Sequence, residues 1–154
     1  MLIVTFLAAI GTAIMAGIFF TFSVFAMTAF GRLPPEQGIA AMQSINETIQ
    51  NPLFFAVFFG TALASLILIA GCFLSAAAPR PGWLLAGAGL YLATCMVVTI
   101  VWNVPMNNAL AAVTPGTPES LAVWTDYLTR WTAWNHVRTA GCIASLAAFI
   151  QALR

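Results

Sequence analysis

The side chains best suited to chemistry are concentrated in one stretch of the chain, from Trp131 to Arg138. This stretch contains the single histidine, His136, and one of five basic residues, together with Asn135 and a second tryptophan, Trp134. An uncharged, largely apolar segment follows it directly. Polar groups beside a membrane-like segment are costly to bury, so they usually have a function.

The chemistry that this stretch predicts is proton transfer with stabilisation of an anion. His136 is suited to act as a general base near neutral pH, and Arg138 to stabilise an oxyanion or enolate. On a helix, Trp131, Asn135 and Arg138 share one face, and His136 lies one position round from it. Two structural interpretations remain open. Tryptophans at this level also anchor helices at the membrane interface, and a lone His or Arg near a helix end also snorkels.

A second polar cluster, Asn103-Val104-Pro105-Met106-Asn107, lies near the end of the preceding apolar segment. Asn103 and Asn107 are four residues apart, so they share a face if the helix continues, and Pro105 leaves the carbonyl near Val101 without its usual donor. The alternative is that Pro105 ends the helix and the asparagines cap or solvate it. If both clusters lie at one membrane level, these asparagines form a pocket with the histidine and arginine of the first cluster.

The acidic residues available to neutralise the arginines are few. Asp126 and Arg130 are spaced i, i+4, which is sufficient to explain that pair structurally. Glu47 is then the predicted partner of Arg138, provided that the segment carrying Glu47 folds inward.

Residues that hold metals or cofactors are scarce in the sequence. One histidine does not make a typical metal site without carboxylates, and haem would have His136 as its single candidate ligand. The three cysteines, Cys72, Cys95 and Cys142, are far apart in apolar runs without a CxxC motif, which indicates buried small hydrophobic residues. We therefore predict no metal site and no cofactor.

The composition is that of an integral membrane protein. Of 154 residues, 62% are hydrophobic and 6% are charged, and nine charges do not cover the surface of a soluble domain of this size. The predicted partners are the lipid bilayer and a lipophilic small molecule. Nucleic acid is excluded because the chain has no basic patch.

The apolar segments predict one all-α domain over residues 1–154, an antiparallel up-down-up-down four-helix transmembrane bundle. Its helices span about 2–30, 52–78, 83–108 and 119–153, and a short amphipathic helix over about 36–50 lies at the interface or folds over the bundle. The last helix is too long for one crossing, so its first half projects beyond the bilayer or lies on it. The first apolar run is too long for a signal peptide and is interpreted as a retained helix.

The basic residues give a weak orientation signal. Arg80 and Arg154 lie at the end that carries both termini, which the positive-inside rule places in the cytoplasm, although Arg32 and Arg130 lie at the other end.

The two polar clusters together resemble the signature of the anthrone-oxygenase-like family. The matching residues are Asn103-x-Pro105-x-Asn107-x-x-Leu110 and Trp131-x-x-Trp134-Asn135-x-x-Arg138-Thr139. The family consists of small four-helix membrane proteins, most of them bacterial, which implies a bacterial cell membrane. Its fungal members are similar to enzymes that oxidise a polyketide anthrone to an anthraquinone with molecular oxygen and no evident cofactor.

The resemblance implies a role for each matching residue. His136 removes the acidic ring proton, and Arg138 and Asn107 stabilise the resulting anion, which reacts with O₂. The implied substrate-binding residues are Asn103, Trp131, Trp134 and Asn135.

Two functions of different classes follow from these observations. The first is a cofactor-independent membrane oxygenase or oxidoreductase that acts on a lipophilic aromatic or quinone-like molecule. The alternative is a non-catalytic membrane protein that binds a lipophilic ligand or supports a membrane partner. A family resemblance alone does not decide between them.

Overall fold

The fold is entirely helical in the part of the chain that the computed structural model describes, residues 1–74 and 80–154. Its five helices are α1 (Leu2–Phe30), α2 (Pro35–Thr48), α3 (Pro52–Leu74), α4 (Pro81–Ala111) and α5 (Pro118–Leu153). All except α2 are long and apolar enough to cross a membrane, which confirms the predicted fold class. The predicted end of the second long helix at Ala78 lies outside the described residues.

Local sequence signals explain where these helices begin. Every helix except α1 begins with a proline. At the first position of a helix the fixed φ of proline fits, and its missing N–H costs nothing. Thr117 and Ser120 form a capping box at the start of α5, and the Asn51 side chain accepts a 3.0 Å hydrogen bond from the amide of Phe54 before α3.

The long helices pack at the end that carries the termini through small and apolar residues. There α1 contacts α3 and α5, and α4 contacts α3 and α5. The Met1 side chain lies against Gly71, and Arg80 donates a 2.8 Å hydrogen bond to the carbonyl of Gln151. The buried core of this region, which we call the terminal core, consists of Ala8, Ala9, Leu68, Leu84, Ala88, Phe149 and Ala152.

The short helix α2 folds over the opposite end of the long helices. Ile39 and Met42 are fully buried there, in a core that includes Trp124 of α5. The Gln43 side chain donates hydrogen bonds of 2.8 and 3.0 Å to the carbonyls of Leu110 and Val113, which ties α2 to the end of α4. Of the two predicted positions for this helix, the folded-over one is therefore found.

Four stretches of π-helix interrupt the regular α-helical backbone. They are Phe22–Ala26 in α1, Tyr91–Val97 and Thr99–Asn103 in α4, and Tyr127–Trp131 in α5. The alternative that Pro105 ends its helix is wrong, because α4 continues to Ala111. The π-helical turn directly before Pro105 changes the hydrogen-bond register where the proline lacks a donor, and the helix continues past it.

Candidate functional site

The central side chain of the site is Arg138, which is buried with 5% of its surface exposed. Its Nη2 donates a 2.7 Å hydrogen bond to Oδ1 of Asn135, and its Nη1 a 3.3 Å bond to the hydroxyl of Thr99. Nε has no partner among the described residues. The guanidinium is thus held by neutral groups, and one of its three nitrogens has no hydrogen-bond partner in the described residues.

The orientation of Asn135 follows from its own partners. This residue is completely buried, and its Nδ2 donates to the carbonyl of Phe19 at 2.8 Å and to Oγ of Ser23 at 2.7 Å. The Ser23 hydroxyl also lies 2.8 Å from that of Thr139. Because both amide donors are used on α1, the amide oxygen is left to accept from Arg138.

A second group of hydrogen bonds joins α4 to α5 through Asn107. Its Oδ1 accepts 2.7 Å hydrogen bonds from the hydroxyl of Tyr127 and from Nε1 of Trp131. Asn103 is buried and donates a 3.2 Å bond to the carbonyl of Trp131, while its own Oδ1 has no partner among the described residues. Asn103 and Asn107 of α4 are therefore both bonded to Trp131 of α5.

Three of the π-helical stretches surround this network. Ser23, Thr99 and Trp131 each lie in one of them, on three different helices. A π-helical turn leaves backbone carbonyls outside the regular ladder and occurs frequently at functional sites. The side-chain amide of Asn103 bonds one carbonyl of such a stretch, at Trp131.

A cavity of about 320 Å³ lies beside Arg138, between α1, α2, α3 and α4. The guanidinium carbon of Arg138 is 4.2 Å from the centre of the Phe19 ring and 5.1 Å from that of Trp131. The aromatic part of the lining consists of Phe19, Phe22, Phe54, Phe55, Phe58, Phe59 and Trp131. The polar and charged part consists of Gln43, Asn46, Glu47, Gln50, Thr99, Asn107, Asn108 and Arg138.

The cavity opens between α3 and α4. Helix α3 packs against the first half of α4, up to Val97, but not closely against the half that follows. Four lining residues on these two helices are apolar and exposed, which in a membrane means exposed to lipid. They are Phe55, Phe59, Ile100 and Val104. Three polar residues of the lining, Glu47, Gln50 and Asn108, are exposed too.

The structure separates the predicted site residues into three groups. Arg138, Asn107 and Trp131 line the cavity. Asn103 and Asn135 do not line it, but they form hydrogen bonds with Trp131 and Arg138, which do. The remaining two, His136 and Trp134, lie outside the cavity lining.

His136 is exposed and does not line the cavity. One position on a helix is a rotation of about 100°, so a residue next to buried Asn135 faces a different direction. Trp134 stacks on Trp102 of α4, with ring centres 4.1 Å apart, and does not line the cavity either. The geometry gives His136 no access to a ligand in this cavity.

The predicted ion pair between Glu47 and Arg138 is not present. Within residues 1–74 and 80–154 the ion pair found is the exposed one between Arg130 and Asp126, at 3.3 Å. Helix α2 does fold inward as that prediction required, and Glu47 lines the same cavity as Arg138, but the two side chains form no ion pair.

Several residues of the site were not identified from the sequence. Ser23 and Thr99 hold the buried network from α1 and α4, and Tyr127 holds Asn107. The available signal was a hydroxyl residue inside an apolar helix, but most such residues here bond only the carbonyl four residues earlier, as Thr61 and Thr94 do.

No group of three or more His, Cys, Asp or Glu residues that could hold a metal ion occurs in the described part of the chain. Cys95 and Cys142 are buried free cysteines, and Cys72 is partly buried.

Comparison with known proteins identifies the family. The sequence model of the anthrone oxygenase family matches residues 53–148, a segment that contains Asn103, Asn107, Trp131, Asn135 and Arg138. No curated protein and no solved structure matches the chain. The match covers more than half of the 154 residues. This confirms the resemblance found in the sequence, and the chain belongs to the anthrone oxygenase family.

Proposed function

We propose that this protein is a membrane oxygenase that binds a flat, lipophilic phenol or anthrone-like aromatic as its anion and oxidises it with molecular oxygen. The observation that carries the proposal is that Arg138 is a buried cation bonded only to neutral groups among the described residues. A buried cation is costly unless it is paired, and the partners of Arg138 in the described residues are neutral. An anionic ligand in the adjoining cavity supplies the missing counter-charge.

The lining of the cavity supports an aromatic ligand. Its volume of about 320 Å³ falls at the lower end of the usual range for small-molecule sites. Aromatic rings favour stacked or edge-on contacts with a planar ligand. The apolar opening between α3 and α4 supports access for a molecule dissolved in the bilayer.

Asn107 supports the binding of an oxyanion. Its Oδ1 accepts from both Tyr127 and Trp131, so its Nδ2 is the group left to donate to a ligand. A ligand oxygen near Asn107 and Arg138 meets a carboxamide donor and a guanidinium. Donors held in place in this way stabilise charge that develops on an oxygen.

The proposed reaction takes one anthrone and one O₂ to one anthraquinone and one water. Loss of a methylene proton gives an electron-rich anion whose charge lies largely on oxygen. This anion gives its electrons to O₂, a carbon–oxygen bond forms, and the hydroperoxide loses water to give the second carbonyl. The reaction as proposed needs no cofactor, since the substrate anion itself reduces O₂.

A non-catalytic protein that binds a lipophilic ligand is the second candidate function. The observation that favours it is the exposure of His136, which leaves the cavity without the base expected from the sequence. Both candidates share the cavity and Arg138, so turnover has to be measured separately from binding.

The test is O₂ uptake by the protein in lipid nanodiscs supplied with anthrone. Wild type is expected to consume one O₂ per anthrone, and Arg138→Gln to lower the rate by about 100-fold or more through loss of oxyanion stabilisation. Arg130→Gln is the matched control, because it removes the same charge from an exposed side chain. Binding of anthraquinone without O₂ uptake favours the second candidate, and absence of binding rejects both.

For the orientation we propose a bacterial cell membrane with both termini in the cytoplasm. Arg80 lies beside Gln151 near Arg154, and these two basic residues support the proposal, while Arg32 and Arg130 lie at the other end. Four acidic residues, Glu36, Glu47, Glu119 and Asp126, belong to the other half of the fold. A reporter fused to the C-terminus that is active only outside the cytoplasm is expected to be inactive.

A further inference from the structure

Two opposite charges face the cavity without touching each other. Among the described residues that line it, Glu47 and Arg138 are the ones with ionisable side chains. They belong to different helices, α2 and α5, and form no ion pair. The lining of this cavity therefore includes one acid and one cation that do not pair with each other.

Helix α2 holds Glu47 at the cavity through contacts made by the residues that precede it. Gln43, one turn earlier, is bonded to the end of α4, and Asn46 donates a 3.4 Å hydrogen bond to the hydroxyl of Tyr127. Ile39 and Met42 are buried beneath the helix. The backbone of Glu47 is thus fixed, while its side chain is exposed and has no hydrogen-bond partner among the described residues.

We propose that Glu47 is the catalytic base of the anthrone oxidation, an inference that rests on the proposed function. A carboxylate within hydrogen-bond reach of a substrate proton can accept it in the transition state. Glu47 meets the first requirement of geometry because it lines the cavity, and His136 does not. Glu47 also lies before the segment that matches the family model, residues 53–148, so the match itself assigns it nothing.

The proton transfers balance with Glu47 as the only base. Its carboxylate takes one proton from the methylene carbon, and the electron pair of the broken C–H bond passes into the ring system toward the oxygen held by Arg138. After O₂ adds, protonated Glu47 returns the proton to the peroxide oxygen. Glu47 then removes the second proton from the same carbon as the O–O bond breaks, and hydroxide leaves with that proton as water.

The experiment measures proton removal without oxidation. Protein in nanodiscs is incubated with anthrone in D₂O without oxygen, and incorporation of deuterium at the methylene carbon is followed by mass spectrometry. Wild type is expected to accelerate exchange over empty nanodiscs, and Glu47→Gln to lower this acceleration by about 100-fold or more. Glu36→Gln is the matched control, since Glu36 lies in the first turn of the same helix and does not line the cavity.

A binding measurement guards against a folding defect. Glu47→Gln is expected to bind anthraquinone, which has no proton to remove at that carbon, with the affinity of wild type. Glu47→Asp, which keeps the carboxylate on a shorter side chain, is expected to restore part of the exchange.

Each outcome separates this inference from the proposed function. Exchange at the wild-type rate in Glu47→Gln, or no acceleration by wild type, overturns the assignment of Glu47. Exchange that depends on Glu47 but is not followed by O₂ uptake in air keeps Glu47 as a base and rejects the oxygenase. O₂ uptake that needs Arg138 but not Glu47 keeps the oxygenase and rejects the base.

Discussion

The two ends of the long helices are constructed differently. At the end with the termini, the backbone is regular α-helix and the terminal core is apolar, with Leu68, Leu84 and Phe149 almost completely buried. At the other end, α1, α4 and α5 each contain a π-helical stretch, and Asn103, Asn135 and Arg138 are buried there among hydrogen bonds.

The difference shows how a membrane protein makes room for a polar site. Lipid is as apolar as the terminal core, so close packing rather than hydrophobic burial holds that end together. At the other end, buried amides bond backbone carbonyls as well as side chains, as Asn135 does at Phe19. Such bonds join α1 and α4 to α5 beside the cavity.

The largest loss of stability is expected from Asn135→Leu, which removes hydrogen bonds at the polar end. This change leaves Nη2 of buried Arg138 without its acceptor and removes one hydrogen bond each from the Ser23 hydroxyl and the Phe19 carbonyl. We expect the free energy of unfolding to fall by about 2–4 kcal/mol, because a hydrogen bond to a charge is lost and buried groups are left unpaired. Denaturation of the protein in mixed micelles measures it. The control, Asn108→Leu, alters an exposed carboxamide of α4 and should have little effect.

The second-largest effect is expected from Phe149→Ala, which tests whether the terminal core is independent of the site. Phe149→Ala should lower the free energy of unfolding by about 2–3 kcal/mol, mainly through the cavity it leaves, since lipid contributes little hydrophobic driving force. O₂ uptake per folded protein should not change. Phe73, 78% exposed, provides the control Phe73→Ala. A loss of turnover in folded Phe149→Ala would show that the two ends are coupled.

A smaller effect is expected where α2 meets the long helices. A Cβ at Gly38 would lie 2.8 Å from the Phe30 carbonyl oxygen and from the Trp124 ring. Gly38→Ala should destabilise the docking of α2 by about 1 kcal/mol net, as an overpacking cost of about 1–3 kcal/mol is offset by the better helix propensity of alanine. Weaker docking of α2 is measured as faster proteolysis within this helix. Gly60→Ala, with open space around the Cβ, should not be cleaved faster.

Much of the fold and part of the site could be predicted from the sequence. Uncharged runs predict the long helices, and the spacing of Asn103, Asn107, Trp131, Asn135 and Arg138 predicts a polar junction between α4 and α5. The surroundings of His136 could not be predicted, because spacing assigns a residue to a helix face but does not show whether lipid or protein covers that face.

The cavity could not be predicted from the sequence either. Its aromatic lining comes largely from phenylalanines of α1 and α3, and a phenylalanine in an apolar helix can face either lipid or a ligand. The π-helical stretches depend on which carbonyls find partners on other helices, and this is decided only in the folded chain. The sequence predicts Glu47 as a counter-charge for Arg138, but its place in the cavity lining follows only from the placement of α2.

The central claim is that Arg138 receives an aromatic anion in the cavity. The most direct measurement is the dissociation constant of a hydroxyanthraquinone, read from the shift of its visible absorption on ionisation, for wild type, Arg138→Gln and Arg130→Gln in nanodiscs. We predict that wild type and Arg130→Gln bind the ionised ligand. Arg138→Gln should bind it about 100-fold or more weakly, because losing one partner of a buried charge pair costs about 2–5 kcal/mol. Equal binding by Arg138→Gln and Arg130→Gln would contradict the claim.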